Sequence, residues 1–339
     1  MSRRIGWYVH HQGLGHLVRM RAIAGELDAR VVCFSSLAEP AELPPNCTWI
    51  RLPRDDEPDP VSGDPAHSDP TAGGLLHWAP IGHRGHRHRL GAIAEAVAGE
   101  GLDAFVVDVS VEVTLFVRLL GIRTIVLAQP GDRSDAPHRL AFDAAERIVA
   151  PWPEELLRPA WLQPVRHKTV FTGGISRFEG RALPDGGERA AGVLLLGGRG
   201  GQEVSEADVR AAAAASGGKW RILGGPSGEW ADDPWRELVT APVVVSWAGQ
   251  NAVADLAAVD ARAIVIPQPR PFDEQRATAA ALRGADLAVV VDGWPEPPDW
   301  PGLLARASAL SPDWGRWRTA GAARRAAVSY THLTLPTIL

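Results

Sequence analysis

The chain has 339 residues, of which 45% are hydrophobic, and a formal net charge of −5 at pH 7, which fits two α/β domains with separate cores. Its positive charges are scattered and balanced by acids, so a nucleic-acid-binding surface is excluded. Only Cys33 and Cys47 are present, which excludes a disulfide framework and favours a reducing, cytoplasmic location.

The first predicted strand, residues 5–9, is too short an apolar run for a signal peptide, and no stretch approaches the ~20 residues of a membrane span. The strand leads into a loop with Gly13 and Gly15 that opens a helix. A dinucleotide-binding fingerprint would need a third glycine, so NAD binding is not indicated. Without further information, His16 at this helix start is more simply a capping or packing residue than a catalytic one.

A histidine- and arginine-rich stretch, residues 77–89, precedes a predicted helix at about residues 90–98. His83, His86 and His88 have no cysteine or carboxylate nearby in sequence, and the arginines would repel a cation, so no metal site is predicted. The stretch fits a basic surface for a lipid- or phosphate-bearing ligand or for the inner membrane surface. A solvated helix start explains it equally well.

Two further predicted strands end in polar loops, at residues 102–107 and 123–128. Asp108 follows the first strand, where it can orient His16, contact a bound ligand or cap the next helix, a role that Ser110 fills equally well. Asp132 and Arg133 follow the second strand. We predict that both contact a bound ligand, together with the glycines Gly13 and Gly15.

Residues 179–190 are rich in glycine, proline and charge and are predicted as a linker. They divide the chain into an N-terminal domain, residues 1–178, and a C-terminal domain, residues 191–328. The second domain opens with a strand and a glycine loop that contains Gly198, Arg199 and Gly200. Backbone amides of this loop can approach a diphosphate while the Arg199 guanidinium pairs with it, although a flexible turn is the alternative.

Residues 243–275 read as one βαβ unit, with a strand, a glycine turn, a helix, a second strand and a loop that opens another helix. Both loops leave carboxyl ends of parallel strands, where open α/β sheets bind ligands. Gly249, Gln250 and Asn251 lie at a helix N-terminus, which favours phosphate. Asp255, about one turn later, can accept hydrogen bonds from a ribose diol. The alternative is a chain turn at Gly249 and a solvated Asp255.

The pattern S-x-A-G-x-N-x-x-x-D, then a strand, P-x-P and E-Q, resembles the donor-site signature of MurG-like glycosyltransferases, family 28 of the GT-B fold. The match begins at Ser246. The resemblance implies that Asp255 binds ribose hydroxyls and that Glu274 and Gln275 contact the donor sugar. Two positions depart from the family pattern: Asp255 stands for the usual glutamate, and Trp247 stands where arginine is common.

The first glycine loop resembles the G-x-G-H loop of the acceptor side in the same fold, which implies that His16 is the general base. The resemblance also implies that the ligand contacts predicted in this half of the chain lie on the acceptor side: Gly13, Gly15, Asp132 and Arg133. The resemblance also makes Trp230 a candidate to stack on the nucleobase. The implied protein has two Rossmann-like domains that face each other across a cleft. It would transfer a sugar from a UDP-linked donor to an acceptor hydroxyl with inversion, without a metal ion or other cofactor.

Two alternatives remain open at this point. G-x-G-H-x-x-R, which includes Arg19, also resembles nucleotide-sugar hydrolases that use water as acceptor. A non-catalytic nucleotide-sugar-binding protein could keep the same fold. Residues 329–339 change character abruptly and resemble a translated sequencing-adapter read-through, so we expect that they are foreign and exclude them from fold reasoning.

Overall fold

A computed structural model of the chain describes residues 3–184, 192–198, 204–225 and 228–331. The chain forms two compact units. Unit 1 comprises Met1–Ala150, Ala160–Phe171 and Ala323–Leu339, and unit 2 comprises Pro151–Pro159 and Thr172–Ala322.

Unit 1 is built on a seven-stranded sheet whose strand pairs are all parallel in the described ranges. Its strands are β1 (Arg4–Tyr8), β2 (Arg30–Ser35), β3 (Cys47–Arg51), β4 (Ala104–Asp108), β5 (Arg123–Leu127), β6 (Arg147–Ala150) and β7 (Thr169–Phe171). They lie in the order β3-β2-β1-β4-β5-β6-β7, the doubly wound arrangement of Rossmann folds. Strands buried on both faces read as apolar runs, as β1 and β4 do.

Four helices connect these strands: α1 (Gly15–Ala24), α2 (Arg84–Glu100), α3 (Val111–Leu119) and α4 (Ala136–Ala144). Short 3₁₀ helices form at Pro65–His67 and Ala160–Lys168. Phe34 and Phe105 stack with their ring centroids 5.3 Å apart in the core on one face of the sheet. Parallel strands and covering helices therefore place all loops after the strands at one sheet edge.

The described residues of unit 2 form a five-stranded parallel sheet. Its strands are β8 (Val193–Leu196), β9 (Trp220–Leu223), β10 (Val243–Trp247), β11 (Ala263–Ile266) and β12 (Val289–Val290). Its helices are α5 (Glu206–Ser216), α6 (Trp235–Thr240), α7 (Gln250–Ala258), α8 (Glu274–Gly284) and α9 (Trp300–Ala309). The strand order β9-β8-β10-β11-β12 is the second common doubly wound order.

The last helix, α10 (Ala322–Thr331), returns the chain to unit 1. Tyr330, which lies in the segment that we expected to be foreign, is fully buried there and packs edge-on against Trp7, with ring centroids 5.6 Å apart. No helix in the described ranges is both long and apolar enough to cross a bilayer.

The division into units differs from the sequence-based division at residues 178 and 191. Residues 172–178 belong to unit 2 because Ser176 and Arg177 bind Asp255 and Phe178 packs against Trp235. The predicted linker, residues 179–190, therefore begins inside unit 2, and residues 185–190 lie outside the described part of the chain.

We expect Gly6→Ala to destabilise unit 1. A Cβ at Gly6 would lie 2.3 Å from Cδ2 of Phe105 in the buried core, and such overpacking costs about 1–3 kcal/mol. Gly91→Ala in α2 is the matched control, because no atom lies within 4 Å of its added Cβ and alanine is favoured in helices by about 0.5–1 kcal/mol. In urea unfolding, Gly6→Ala should lower the free energy of unfolding and Gly91→Ala should raise it. Equal changes in the two variants would contradict the packing assigned to β1.

Candidate functional site

In unit 1 the strand order reverses between β1 and β4, which lie side by side although they are distant in sequence. Helices leave such a pair toward opposite faces of the sheet, so a crevice opens at the carboxyl ends of the two strands. The loop after β1 contains Gly13, whose φ of +79° favours glycine, and Gly15 begins α1. His16 lies in the first turn of that helix, and Asp108 ends β4.

The carboxylate of Asp108 joins the two sides of this crevice. It is fully buried, and its Oδ1 lies 3.0 Å from Nδ1 of His16. Arg19 forms a bidentate contact with the same carboxylate: Nη2 donates to Oδ1 at 2.7 Å and Nε donates to Oδ2 at 3.2 Å. Burial raises the pKa of Asp108, but the charges and hydrogen bonds of Arg19 and His16 outweigh it and lower the pKa to about 2. Asp108 is therefore ionised at neutral pH.

The capping alternative for Asp108 is not what the structure shows. Ser110 is the N-cap of α3, and its hydroxyl accepts a hydrogen bond from the backbone N–H of Val113. Val109, between the two, has a φ of +74°, a strained conformation for a β-branched residue that costs about 1–3 kcal/mol. Such a strained conformation persists only where the surrounding structure holds it, and Val109 is directly beside the buried carboxylate of Asp108.

Further imidazoles line the β1 loop. The ring of His10 stacks on His11 at 4.9 Å between centroids and lies 5.5 Å from the ring of His16. Burial, reinforced by the neighbouring His16 and His11, lowers the pKa of His10 to about 3. His10 is therefore neutral at physiological pH and adds no charge beside His16.

The remaining acceptor-side candidates lie in the loop after β5. Oδ1 of Asp132 accepts a hydrogen bond from the backbone N–H of Ser134 at 3.0 Å, which is a local turn contact. Arg133 is buried, with 5% of its surface exposed. Their contact with an acceptor stays a prediction, and the burial of Arg133 does not favour it.

In unit 2 the strand order reverses between β8 and β10. Gly198 lies just after β8, whereas Arg199 and Gly200, which we predicted as diphosphate contacts, lie outside the described residues. Gly249 is the N-cap of α7 in an extended conformation and offers no side chain to the helix N-terminus. The backbone N–H groups that open α7, at Gln250 and Asn251, therefore lie where a phosphate is favoured.

Gln275 ties the two loops of this region together. Its Oε1 accepts hydrogen bonds from the backbone N–H groups of Ala248, at 3.2 Å, and Gln268, at 3.0 Å. Ala248 follows β10 and Gln268 follows β11, so one buried carboxamide fixes the spacing of both loops. Glu274 precedes it as the first residue of α8. Their contact with a donor sugar stays a prediction.

Asp255 is placed differently from the sequence-based expectation of an accessible ribose ligand. Only 2% of its surface is exposed, and both carboxylate oxygens are engaged by the chain itself. Ser176 donates from Oγ to Oδ1 at 2.7 Å, and Arg177 donates from Nε to Oδ2 at 3.0 Å. Burial raises the pKa of Asp255 against the opposing charge of Arg177. The ribose contact stays a prediction, and this arrangement does not favour it.

Two other donor candidates differ in accessibility. Ser246 is fully buried within β10, and its hydroxyl lies 3.4 Å from the carbonyl oxygens of Leu196 and Trp247. Trp230 is 40% exposed, and its Nε1 donates to Oδ1 of Asp232 at 2.7 Å. Trp230 therefore presents ring surface that a nucleobase can cover, whereas Ser246 contributes to the strand itself.

The histidine-rich stretch is a solvated helix start only in part, because Arg84, Arg87 and His88 are exposed whereas other members are buried. His83 is 3% exposed and is the N-cap of α2, where its Nδ1 accepts a hydrogen bond from the backbone N–H of His86. His86 lies 3.3 Å from Asp55 through its own Nδ1. Sequence inspection missed this carboxylate partner because it lies 31 residues away in the chain. Outside this stretch, in α4, burial lowers the pKa of His138 to about 4, although Asp135 opposes the shift.

Three contact residues were not assigned from the sequence: Arg19, Ser176 and Arg177. Arg19 could have been found, because it lies three positions after His16 and therefore on the same helix face. Ser176 and Arg177 are 79 and 78 positions from Asp255, so their pairing depends on the path of the chain.

We expect Asp255→Ala to lower the free energy of unfolding of unit 2 by about 1.5–3 kcal/mol, the range for hydrogen bonds to charged groups, because it leaves Ser176 and Arg177 without their acceptor. Asp292→Ala is the matched control, since Asp292 is 75% exposed and pairs with Arg283 at the surface. Its effect should stay below about 1 kcal/mol. A normally stable Asp255→Ala protein that has lost UDP binding in calorimetry would instead make Asp255 a nucleotide ligand.

Known structures have the same fold, although the sequence matches no protein-family profile and no curated protein significantly. CalG4, the calicheamicin glycosyltransferase, has a TM-score of 0.66 at 18% identity, and the alignment covers 100% of both chains. The kitacinnamycin glycosyltransferase gives 0.65 at 15% identity, covering 99% of this chain and 100% of the other. MurG of Acinetobacter baumannii gives 0.60 at 13% identity, covering 98% and 100%. The chain therefore has the two Rossmann-like α/β domains of the GT-B fold.

Proposed function

We propose that this protein transfers a sugar from a nucleotide-diphosphate sugar to an acceptor hydroxyl. The observation that carries the proposal is the contact between His16 and Asp108 at the strand-order reversal of unit 1. A histidine whose Nδ1 faces a buried carboxylate keeps Nε2 for a substrate proton, which is the arrangement of a general base. The similarity of the fold to solved glycosyltransferases supports the same reading.

The donor would bind to unit 2 at its own strand-order reversal. The N-terminus of α7 after Gly249, together with the glycine loop at Gly198, would hold the diphosphate through backbone N–H groups. Trp230 would cover the nucleobase, and Glu274 and Gln275 would lie near the sugar. We propose UDP as the nucleotide, in line with the resemblance described from the sequence.

The chemistry would be direct displacement at the anomeric carbon, with inversion. Nε2 of His16 takes the proton of the acceptor hydroxyl as its oxygen attacks, and Asp108 stabilises the imidazolium that forms. The leaving nucleoside diphosphate takes the electrons of the broken glycosidic bond and is stabilised by the helix N-terminus. We also propose that the acceptor bears a lipid or a phosphate group. The protein would then contact the inner membrane surface.

A hydrolase is the second candidate, because Arg19 of the G-x-G-H-x-x-R pattern is placed directly on Asp108. The same base would then activate water rather than a hydroxyl. Incubation of the purified protein with UDP-, dTDP- and GDP-sugars, with detection of nucleoside diphosphate, free sugar and glycoside, separates the candidates. Free sugar without an acceptor dependence favours the hydrolase, and no released diphosphate contradicts both.

We expect His16→Gln to lower kcat by roughly 10²–10⁴, the usual contribution of general base catalysis, because glutamine can replace the hydrogen bond but cannot accept the proton. Nucleotide affinity should be unchanged, since the donor residues lie in the other unit. His67→Gln is the control, because that histidine side chain is 84% exposed. A His16→Gln enzyme with near-native kcat would remove the base role from this residue.

We expect turnover to persist in excess EDTA. The carboxylate at the proposed base, Asp108, is already paired with Arg19 and His16, so it has little negative charge left to hold a divalent cation. Initial rates with and without EDTA test this expectation. A loss of turnover that only Mg²⁺ or Mn²⁺ restores would contradict it.

A further inference from the structure

A second cluster of side chains in unit 1 has the composition of a metal site. His77 precedes α2, Asp135 is the N-cap of α4, and His138 lies in the first turn of α4. One ligand atom from each residue lies within 4.8 Å of the other two. Nε2 of His77 is 3.2 Å from Oδ2 of Asp135, and Nδ1 of His138 is 3.0 Å from the same oxygen.

These spacings match the edges of a small coordination polyhedron. Zinc bonds of about 2.0–2.2 Å to imidazole nitrogen and carboxylate oxygen place neighbouring ligand atoms about 3.3 Å apart in a tetrahedron. Two imidazoles and one carboxylate suit zinc better than magnesium, which prefers oxygen ligands. We propose that His77, Asp135 and His138 form a zinc-binding site.

The residues around the cluster hold its ligands in position. The other carboxylate oxygen of Asp135, Oδ1, accepts the backbone N–H of His138 at 2.8 Å. Oε1 of Glu112 accepts the backbone N–H groups of His77 and Trp78 at 2.7 and 3.0 Å, which fixes the loop before α2. Such supporting contacts keep ligands oriented and lower the entropy lost on metal binding.

Three protein ligands and a water molecule from solvent would complete a four-coordinate zinc site.

The other candidate cluster among the described residues, His11 with Asp55 and Asp56, is a poorer site. Asp55 forms a buried ion pair with Arg89, and Asp56 pairs with Arg54 at 2.6 Å. Both carboxylates are thus already neutralised by guanidinium groups, and a cation would have to displace them. We assign no ion to this cluster.

The chain supplies its own control for the zinc site. The spacing D-x-x-H occurs at Asp135 and His138 and again at Asp64 and His67, where Nδ1 lies 3.2 Å from the carboxylate. The second pair is exposed, at 52% and 84%, and it belongs to neither candidate cluster in the described residues. If an aspartate and a histidine at this spacing were enough to bind zinc, the pair at Asp64 and His67 would bind it as well. The third ligand, His77, is what distinguishes the proposed zinc site from that pair.

Zinc at this position would tie the loop before α2 to the start of α4. Its effect would be on the stability of unit 1 and not on proton transfer by His16, so the proposed site stands independently of the glycosyltransferase function. Because a ligand that binds only the folded state raises its stability, zinc should raise the Tm of the full chain, and EDTA should reverse the rise.

The test is calorimetric titration of the full chain with Zn²⁺ after treatment with EDTA and dialysis. We expect one zinc per chain, a higher Tm with zinc, and no heat with Mg²⁺. His77→Gln and His138→Gln should each weaken zinc binding at least about tenfold. Asp135→Asn keeps the N-cap acceptor while removing the charge, so it should weaken zinc without unfolding α4.

Two control variants complete the design. His67→Gln and His11→Gln should leave the zinc affinity and stoichiometry unchanged, and circular dichroism should show every variant folded. Absence of zinc binding by the unmodified chain, unchanged binding by His77→Gln and Asp135→Asn, or loss of zinc in His67→Gln or His11→Gln would each overturn the assignment. All these readouts are independent of turnover, so they are distinguishable from a failure of the proposed enzyme activity.

Discussion

The structure depends on one topological constraint, which is that each parallel sheet grows outward in two directions from a central pair of strands. At β1 and β4 in unit 1, and at β8 and β10 in unit 2, consecutive crossovers pass on opposite faces, which opens a crevice at the strand ends. Polar side chains and backbone N–H groups can face solvent there without breaking a core. Both stretches that the sequence marked as chemically active, around His16 and around Gly249, lie at these two places.

The buried ion pair between Asp108 and Arg19 determines the chemistry that is possible at the strand-order reversal of unit 1. Arg19 lies 3.3 Å from Nδ1 of His16 through Nη2, and Asp108 lies 3.0 Å from the same nitrogen. A guanidinium can only donate, so Nδ1 cannot serve both neighbours as a hydrogen-bond partner at once. In the tautomer with the proton on Nδ1, the imidazole donates a hydrogen bond to Asp108 and keeps a lone pair on Nε2 that can accept a proton. In the other tautomer, Nδ1 accepts a hydrogen bond from Arg19, and Nε2 carries a proton and cannot act as a base. The shorter contact and the full negative charge of Asp108 favour the first tautomer.

The sequence predicted the fold because its signals were local. Apolar runs, glycine loops and helix starts at fixed spacing identify strands, crossovers and their carboxyl ends without knowledge of tertiary contacts. The division between the units was not predictable in the same way. It is decided by where residues 172–178 pack and by the return of α10, whose Tyr330 is buried against Trp7. Neither contact leaves a periodic signal, because each joins positions far apart in the chain.

Site residues show the same limit. Asp108 could be placed because it ends a buried strand, and Arg19 could have been, because helix periodicity puts it beside His16. The solvent exposure of a side chain cannot be predicted from local sequence signals. Asp255 was therefore predicted as an accessible carboxylate, although it is buried in the folded chain. A family resemblance gives a position its expected partner, but burial depends on every segment that packs over it.

Asp108 and Asp255 show how similar contacts give different electrostatics. Each is a buried carboxylate with one arginine, yet the pKa of Asp108 is lowered and that of Asp255 is raised. Asp108 receives two hydrogen bonds from Arg19, whose side chain is 3% exposed, and a third contact from His16. Asp255 receives hydrogen bonds from the backbone and the side chain of Arg177, and one from the neutral hydroxyl of Ser176. The Arg177 side chain is 27% exposed and therefore better hydrated than that of Arg19. Burial dominates where the compensating charge is partly screened, so Asp108 holds a fixed charge suited to an imidazolium, whereas Asp255 is suited to bracing the chain.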